Sequence, residues 1–192
     1  MHDIIQQSVR ASIAVKQAWL DDPVFLQKIA QAAERLVAVF RQGGKALFCG
    51  NGGSAADAQH LAAELSGRFY TDRPPLYAEA LHVNSSYVTA VANDYGYDHV
   101  FSRMVEAAGR PGDVLVAIST SGNSPGILRA AEKARGLGMP VIGLTGATGG
   151  QLAGLSDVLL NVPSTDTPRI QESHILIGHI LCEIVEKELF GA

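Results

Sequence analysis

The sequence predicts a three-layer α/β/α fold: a five-stranded parallel sheet covered on both faces, preceded by an N-terminal helical hairpin. Three observations carry this prediction. Short, wholly apolar runs, such as 46–49 and 114–118, read as strands buried on both faces. Segments of helix length separate most of these runs, as parallel crossovers require. Two glycine-bearing polar loops, 50–54 and 119–124, follow two of the runs, at the carboxyl ends where open α/β sheets place their ligands.

The elements follow in order. Ile5, Val9 and Ile13 recur at helical spacing, and Asp21-Asp22-Pro23 closes this helix and opens the next, with Asp22 as N-cap and Pro23 in the first helical position. Phe25, Ile29, Leu36 and Phe40, with Ala32 and Ala33, form the apolar stripe of the second helix, which Gly43-Gly44 terminates. Residues 1–43 are thus a hairpin added to an α/β core of residues 44–192. Its apolar face must cover the sheet or another subunit. Strands are expected at 46–49, 76–83, 114–118, 141–144 and 158–162. Helices are expected at 55–66, 86–93 and 99–108, then through Leu128, Ala131 and Ala134 to the stop at Gly136-Leu137-Gly138, then briefly near 151–155, and finally from Pro168 to Phe190. No linker or low-complexity tract divides the chain, so residues 1–192 are read as one domain.

Composition narrows the function. A chain of 192 residues suits one such domain and is too short for two ordinary ones. It is 47% apolar but only 6% aromatic and 18% charged, which argues against disorder and points to surface buried in an assembly. A net charge of −4 gives no electrostatic reason to expect nucleic acid or an anionic membrane as partner. No run approaches the ~20 apolar residues of a membrane helix. The N-terminus, with Asp3, Gln6, Gln7 and Arg10, lacks a signal-peptide core, so a cytoplasmic protein is expected. Cys49 and Cys182 both sit in apolar runs and read as buried structural thiols.

The chemistry gathers at the loops. Five of the six residues Ser119, Thr120, Ser121, Gly122, Asn123 and Ser124 carry a hydroxyl or amide, and they lead into a helix N-terminus that favours an anion. This reads as a phosphate cradle. It is neither a nucleotide P-loop nor a dinucleotide fingerprint, since the Gly-Lys-Ser/Thr and G-x-G-x-x-G patterns are missing. In the 50–54 loop, glycines let backbone approach a ligand, and Asn51 and Ser54 suit contact with a polyhydroxy molecule. His60 and Glu64 lie i,i+4 on the helix that leaves this loop; such a pair serves metal binding or proton transfer, and equally a solvated surface. Asn93-Asp94 reads on its own as a helix-end turn. The last helix is apolar on nearly every face and should be buried all round, yet it holds Gln171, Glu172, His174 and His179. A polar group there needs a partner or a ligand.

Taken together, Cys-Gly-Asn-Gly-Gly-Ser at 49–54, Ala-Asn-Asp-Tyr-Gly at 92–96, Ile-Ser-Thr-Ser-Gly-Asn-Ser at 118–124, Leu-Thr-Gly at 144–146 and Arg-Ile-Gln-Glu at 169–172 with His179 resemble the sugar isomerase (SIS) domain family, and within it the sedoheptulose 7-phosphate isomerases, or phosphoheptose isomerases. The resemblance covers essentially the whole chain. It implies a flavodoxin-like SIS sheet and a homotetramer with active sites at subunit interfaces. It implies one Zn2+ per subunit, held at His60, Glu64, Gln171 and His179. Substrate binding would fall to Asn51, Gly52, Gly53, Ser54, Glu64, Asn93, Asp94, Ser119, Thr120, Ser121, Ser124 and Gln171. The implied reaction converts sedoheptulose 7-phosphate to the aldoheptose 7-phosphate through an enediol, for ADP-heptose and surface-glycan precursors, with Glu64 as base and His179 as acid. The alternative is a non-catalytic SIS protein that binds a phosphosugar or the replication initiator DnaA; His179 favours the enzyme. In some isomerases an Asp precedes the Arg-Ile-Gln motif, whereas here that position is Pro168, with Asp166 two residues earlier. Spacing adds one expectation. Gln171 and His179, eight residues apart, would be separated by about 12 Å along a straight helix, too far for one ion with bonds of about 2 Å. Either Gln171 lies at an irregular helix start or the ligands come from two chains.

Overall fold

The computed structural model describes residues 1–191, which form seven α-helices around one parallel sheet. Helices α1 (His2–Leu20) and α2 (Pro23–Arg41) make the hairpin, and β1 (Ala46–Gly50) leads into α3 (Gly53–Ser66). Then come β2 (Ala78–Ala80), α4 (Ser85–Tyr95), a 3₁₀ turn at Tyr97–His99, and α5 (Val100–Ala108). Strand β3 (Val114–Ile118) and α6 (Pro125–Gly136) are followed by β4 (Val141–Thr145) and a second 3₁₀ turn at Gln151–Leu155. Strand β5 (Val158–Asn161) and the 24-residue α7 (Thr167–Phe190) complete the chain.

The strand order is β2-β1-β3-β4-β5, the flavodoxin-like order. Alternate residues of each central strand enter opposite cores. Ala46, Phe48, Val116, Ile118 and Leu144 pack with α2, α3 and α7, while Leu47, Cys49, Leu115 and Ala117 pack with α5 and α6. The hairpin turn forms as its sequence dictates: Asp22 Oδ1 accepts from the N–H of Val24 (2.9 Å) and Phe25 (3.2 Å). Burial pushes the thiols of Cys49 and Cys182 up to about 12, and the Glu64 carboxylate adds to the effect at Cys182.

Two expectations are corrected, and a third is met only in part within one chain. Strand β2 spans only Ala78–Ala80, because it is an edge strand that pairs with β1 alone and follows Pro74-Pro75. Helix α7 is not buried all round: Ile170, Ser173, His174, Ile177, Leu181 and Val185 are buried, but Ile175, Leu176, Ile180 and Ile184 are half-buried. Helix α1 packs on α2 and α7, yet Ile4, Ile5, Val9 and Ile13 stay 54–67% exposed, so the apolar face of the hairpin is only partly covered within one chain.

Two devices fix α3 against α7. At mid-length the helices touch at Gly178, where a Cβ would stand 2.5 Å from both Leu61 methyl groups. At their ends lies a buried ion pair, Arg73 Nε to Glu186 Oε2 at 3.2 Å, with both side chains 2% exposed. Glu186 also accepts N–H bonds from Phe69, Tyr70 and Thr71 (3.2, 2.9 and 3.0 Å). Arg73 in turn donates to the carbonyls of Glu64 (2.9 Å) and Leu65 (2.7 Å) in the last turn of α3. The pair therefore satisfies backbone groups that the end of α3 leaves open. Burial alone would raise the Glu186 pKa, but the three N–H donors outweigh it and hold the carboxyl below its ordinary value.

Two predictions follow. Gly178→Val should force the helices apart and cost about 1–3 kcal/mol, read as a Tm lowered by several degrees in calorimetry. A carboxylate whose folded pKa is depressed stabilises the fold above its unfolded value and loses that contribution as pH falls through the folded value. Thermal melts of the parent protein should therefore decline below about pH 4.5, the ordinary value for Glu, and Glu186→Gln should show a lower Tm at neutral pH and a shallower acid decline.

Candidate active site

The chain leaves β1 toward β2 on one side and leaves β3 toward β4 on the other, so a crevice opens between the loops that follow β1 and β3. The two glycine-bearing loops meet there. Asn51 Nδ2 donates to Ser124 Oγ across the crevice at 2.9 Å. Tyr97, from the 3₁₀ turn, donates its hydroxyl to Asn51 Oδ1 at 2.9 Å.

The 119–124 loop is braced from below. Gly146 N–H donates to the Thr120 carbonyl (2.9 Å), Leu152 N–H to the Gly122 carbonyl (2.9 Å), and Gln151 N–H to Asn123 Oδ1 (3.0 Å). Gly122 sits at φ +66° against the backbone of Gly149 and Gly150, which leaves no room for a side chain. Ser121 Oγ accepts from Asn123 N–H (3.1 Å), and Ser124 is the N-cap of α6 with a hydroxyl that makes no capping bond. The Ser121 and Ser124 hydroxyls thus stand at the positive end of a 12-residue helix, an arrangement suited to an anion.

The second cluster lies farther along α3. His60 Nε2 stands 3.2 Å from Glu64 Oε1 and 3.0 Å from His179 Nε2 on α7. One ligand atom from each of these three residues lies within 4.8 Å of the others. Two imidazole nitrogens at 3.0 Å share one proton between them or direct two lone pairs toward a cation. Two nitrogens and one carboxylate oxygen form a donor set that fits zinc and match the three-ligand pattern of catalytic sites. The His179 ring is tilted against Phe69, with centroids 5.8 Å apart, so the Glu186-anchored segment flanks the cluster.

Other candidate residues are placed as follows. Gly52 is the N-cap of α3, and buried Ser54 donates its N–H to the Asn51 carbonyl (3.0 Å). The Gln171 amide lies against Gly53 at the head of α3, Nε2 being 2.6 Å from where a Gly53 Cβ would stand. Gln171 and His179 lie on one uninterrupted helix, about 12 Å apart in rise, so the expected irregular start is not found. Asn93 and Asp94 close α4 and bond to each other (2.8 Å). Asp166 is the N-cap of α7 without a side-chain capping bond. His174 is a core histidine: its Nε2 donates to the Thr145 carbonyl (3.1 Å), and burial lowers its pKa to about 4.

Three participants escaped the sequence reading. Tyr97 and Arg73 lie in irregular segments that show no periodicity, whereas Glu186 had a visible signal as a charge inside an apolar helix.

Among the described residues, no helix is long and apolar enough to cross a membrane. Residues 25–146 match the SIS domain family. The chain is 59% identical over 180 residues to the phosphoheptose isomerase of Mycobacterium tuberculosis, covering 94% of this chain and 92% of that one. It is 52% identical over 190 residues to that of Aneurinibacillus thermoaerophilus, covering 99% and 96%. Among solved structures, the phosphoheptose isomerase of Neisseria gonorrhoeae superposes with a TM-score of 0.91 at 46% identity, covering 97% of this chain and 98% of that one. That of Francisella tularensis gives 0.92 at 42% identity, covering 96% and 97%. With likeness of this degree along the whole chain, and both clusters placed at the switch point of the sheet or on the helix that leaves it, the chain belongs to the SIS domain family, on its phosphoheptose isomerase branch.

Proposed function

We infer that this protein isomerises D-sedoheptulose 7-phosphate to D-glycero-D-manno-heptose 7-phosphate. One observation carries the reading. The hydroxyl-bearing loop 119–124 meets the head of α3 through the Asn51–Ser124 bond, and the His60, Glu64 and His179 cluster lies about two helical turns, roughly 10 Å, farther along that helix. A long sugar phosphate held by its phosphate at Ser119, Thr120, Ser121 and Ser124 extends its far carbons toward the cluster. Asn51, Gly52, Gly53, Ser54, Asn93, Asp94 and Gln171 are assigned to the sugar hydroxyls between. Binding at the phosphate end then aligns the reacting end.

The ketose carries its carbonyl at C2. Glu64 takes a proton from C1, the C1–H electron pair becomes the C1=C2 double bond of an enediol, and His179 supplies a proton to the C2 oxygen. Glu64 returns its proton to C2 while His179 removes the proton from the C1 hydroxyl, which leaves the aldehyde. Glu64 has oxygens for two tasks, since Oε1 faces His60 and Oε2 is left for the proton. His60, Glu64 and His179, completed by Gln171, would hold one Zn2+ per subunit; when bound, it supplies Lewis-acid stabilisation of charge that develops on the reacting oxygens. The 12 Å between Gln171 and His179 favours ligands drawn from two chains. A homotetramer with interfacial sites belongs to the same reading, supported by the exposed Ile4, Ile5, Val9 and Ile13 of α1. So does a cytoplasmic setting, in keeping with a phosphorylated substrate and two free thiols. The non-catalytic alternative is not favoured, because curated relatives at 49–62% identity bear the isomerase name.

Purified protein incubated with sedoheptulose 7-phosphate should yield the aldose phosphate. Glu64→Gln and His179→Gln should each lower kcat by about 10²–10⁴-fold with unchanged circular dichroism; near-normal turnover in either would remove its assigned role. Dialysis against a chelator should abolish activity, and added Zn2+ should restore it.

A further inference from the structure

We propose that Tyr97 is a positioning residue that orders the phosphate end of the site through Asn51. This role rests on the 119–124 loop being the phosphate site, and the direction of each hydrogen bond defines it. Asn51 Oδ1 can only accept, so the Tyr97 hydroxyl donates to it at 2.9 Å. With Oδ1 held by Tyr97, the amide presents Nδ2 to Ser124, whose Oγ accepts at 2.9 Å. A serine hydroxyl that accepts there keeps its own proton for another partner, and no group among the described residues accepts that proton from Ser124. The chain of bonds therefore aims the Ser124 proton into the cradle. If the Asn51 amide turned over, Oδ1 would accept that proton and the cradle would lose a donor.

Tyr97 is built for this task. Its ring meets buried Phe101 edge-on, with centroids 6.4 Å apart and planes at 83°. The 3₁₀ turn that carries it packs against the first turn of α6, where a Cβ on Gly126 would lie 3.6 Å from the Asp98 Cα. The hydroxyl is thus held by the same helix whose N-cap it orders. Tyr97 is itself 51% exposed, so removal of its hydroxyl leaves no cavity in the core.

The test compares Tyr97→Phe, Ser124→Ala and the double variant by steady-state kinetics with sedoheptulose 7-phosphate, and by competitive inhibition with inorganic phosphate. Tyr97→Phe should raise KM and the phosphate inhibition constant together, each about tenfold, the scale of one lost charge-assisted bond. Its kcat should stay within about threefold and its melting temperature should be unchanged. Because Tyr97 acts through Ser124, the same change made in the Ser124→Ala background should add little. An unchanged KM in Tyr97→Phe, a fall in kcat without a rise in KM, or a full additive effect in the double variant would each overturn the proposal. Were Ser124→Ala itself to leave both KM and phosphate inhibition unaltered, the phosphate reading of the loop would fall and the proposal with it, an outcome distinct from a failure at Tyr97 alone.

Discussion

Two helices that run side by side in the same direction, closer than ordinary side chains permit, set most of what matters here. Gly178 lets α7 sink onto Leu61 of α3, and this contact fixes the register of everything else along the pair. Gln171 falls beside Gly53 at one end, His179 beside His60 near the middle, and Glu186 beside the 69–71 segment at the other. A slip of one residue would rotate each α7 side chain by 100° and separate His179 from its neighbours. The buried Arg73–Glu186 pair reinforces that register. Truncation of either partner would leave a charge unpaired in the interior, a large penalty that shields the arrangement from drift.

The sheet contributes a second constraint. Its order places β1 and β3 next to each other, so the two polar loops share one crevice and the helices that follow them start there. Helix α6 turns its N-terminus to the crevice, while α3 begins at it and carries His60 and Glu64 away. One topological feature thereby keeps two groups of polar residues apart: the hydroxyl-bearing loops occupy the mouth of the sheet, and the His60, Glu64 and His179 cluster lies two turns beyond. The glycines and hydroxyls of the loops and the imidazoles of the helices need not compete for the same space.

The central strands were legible because burial on both faces leaves a plain mark, an uninterrupted apolar run, and the His60–Glu64 pair was legible from helical periodicity alone. Other features depend on tertiary context. The edge position of β2 limits its ladder to three residues, which no local pattern encodes. The half-buried flank of α7 arises from which neighbours reach it, and its isoleucines look the same in sequence whether they face a core or open surface. Family likeness, rather than spacing, linked His179 to His60 and Glu64, residues 119 and 115 positions away. Tyr97 and Arg73 act from irregular segments in which single hydrogen bonds decide their part, so they carried no sequence signature. Glu186 was the exception, since a charge in an apolar helix signals a buried partner.

The two cysteines mark opposite faces of the sheet. Cys49 lies in the layer shared with α5 and α6, and Cys182 in the layer shared with α2 and α3. With both thiols raised to about 12, neither presents appreciable thiolate at neutral pH while its layer stays closed. Each therefore becomes reactive toward an alkylating reagent only through a local opening, and the molecule contains its own pair of clocks, one for each side. The rate at Cys182 reports how often α7 lifts from its bed, a motion that also disperses the histidine cluster. The rate at Cys49 reports on the layer behind the 119–124 loop, so the breathing of the two faces of the sheet can be timed separately in a protein without an added label.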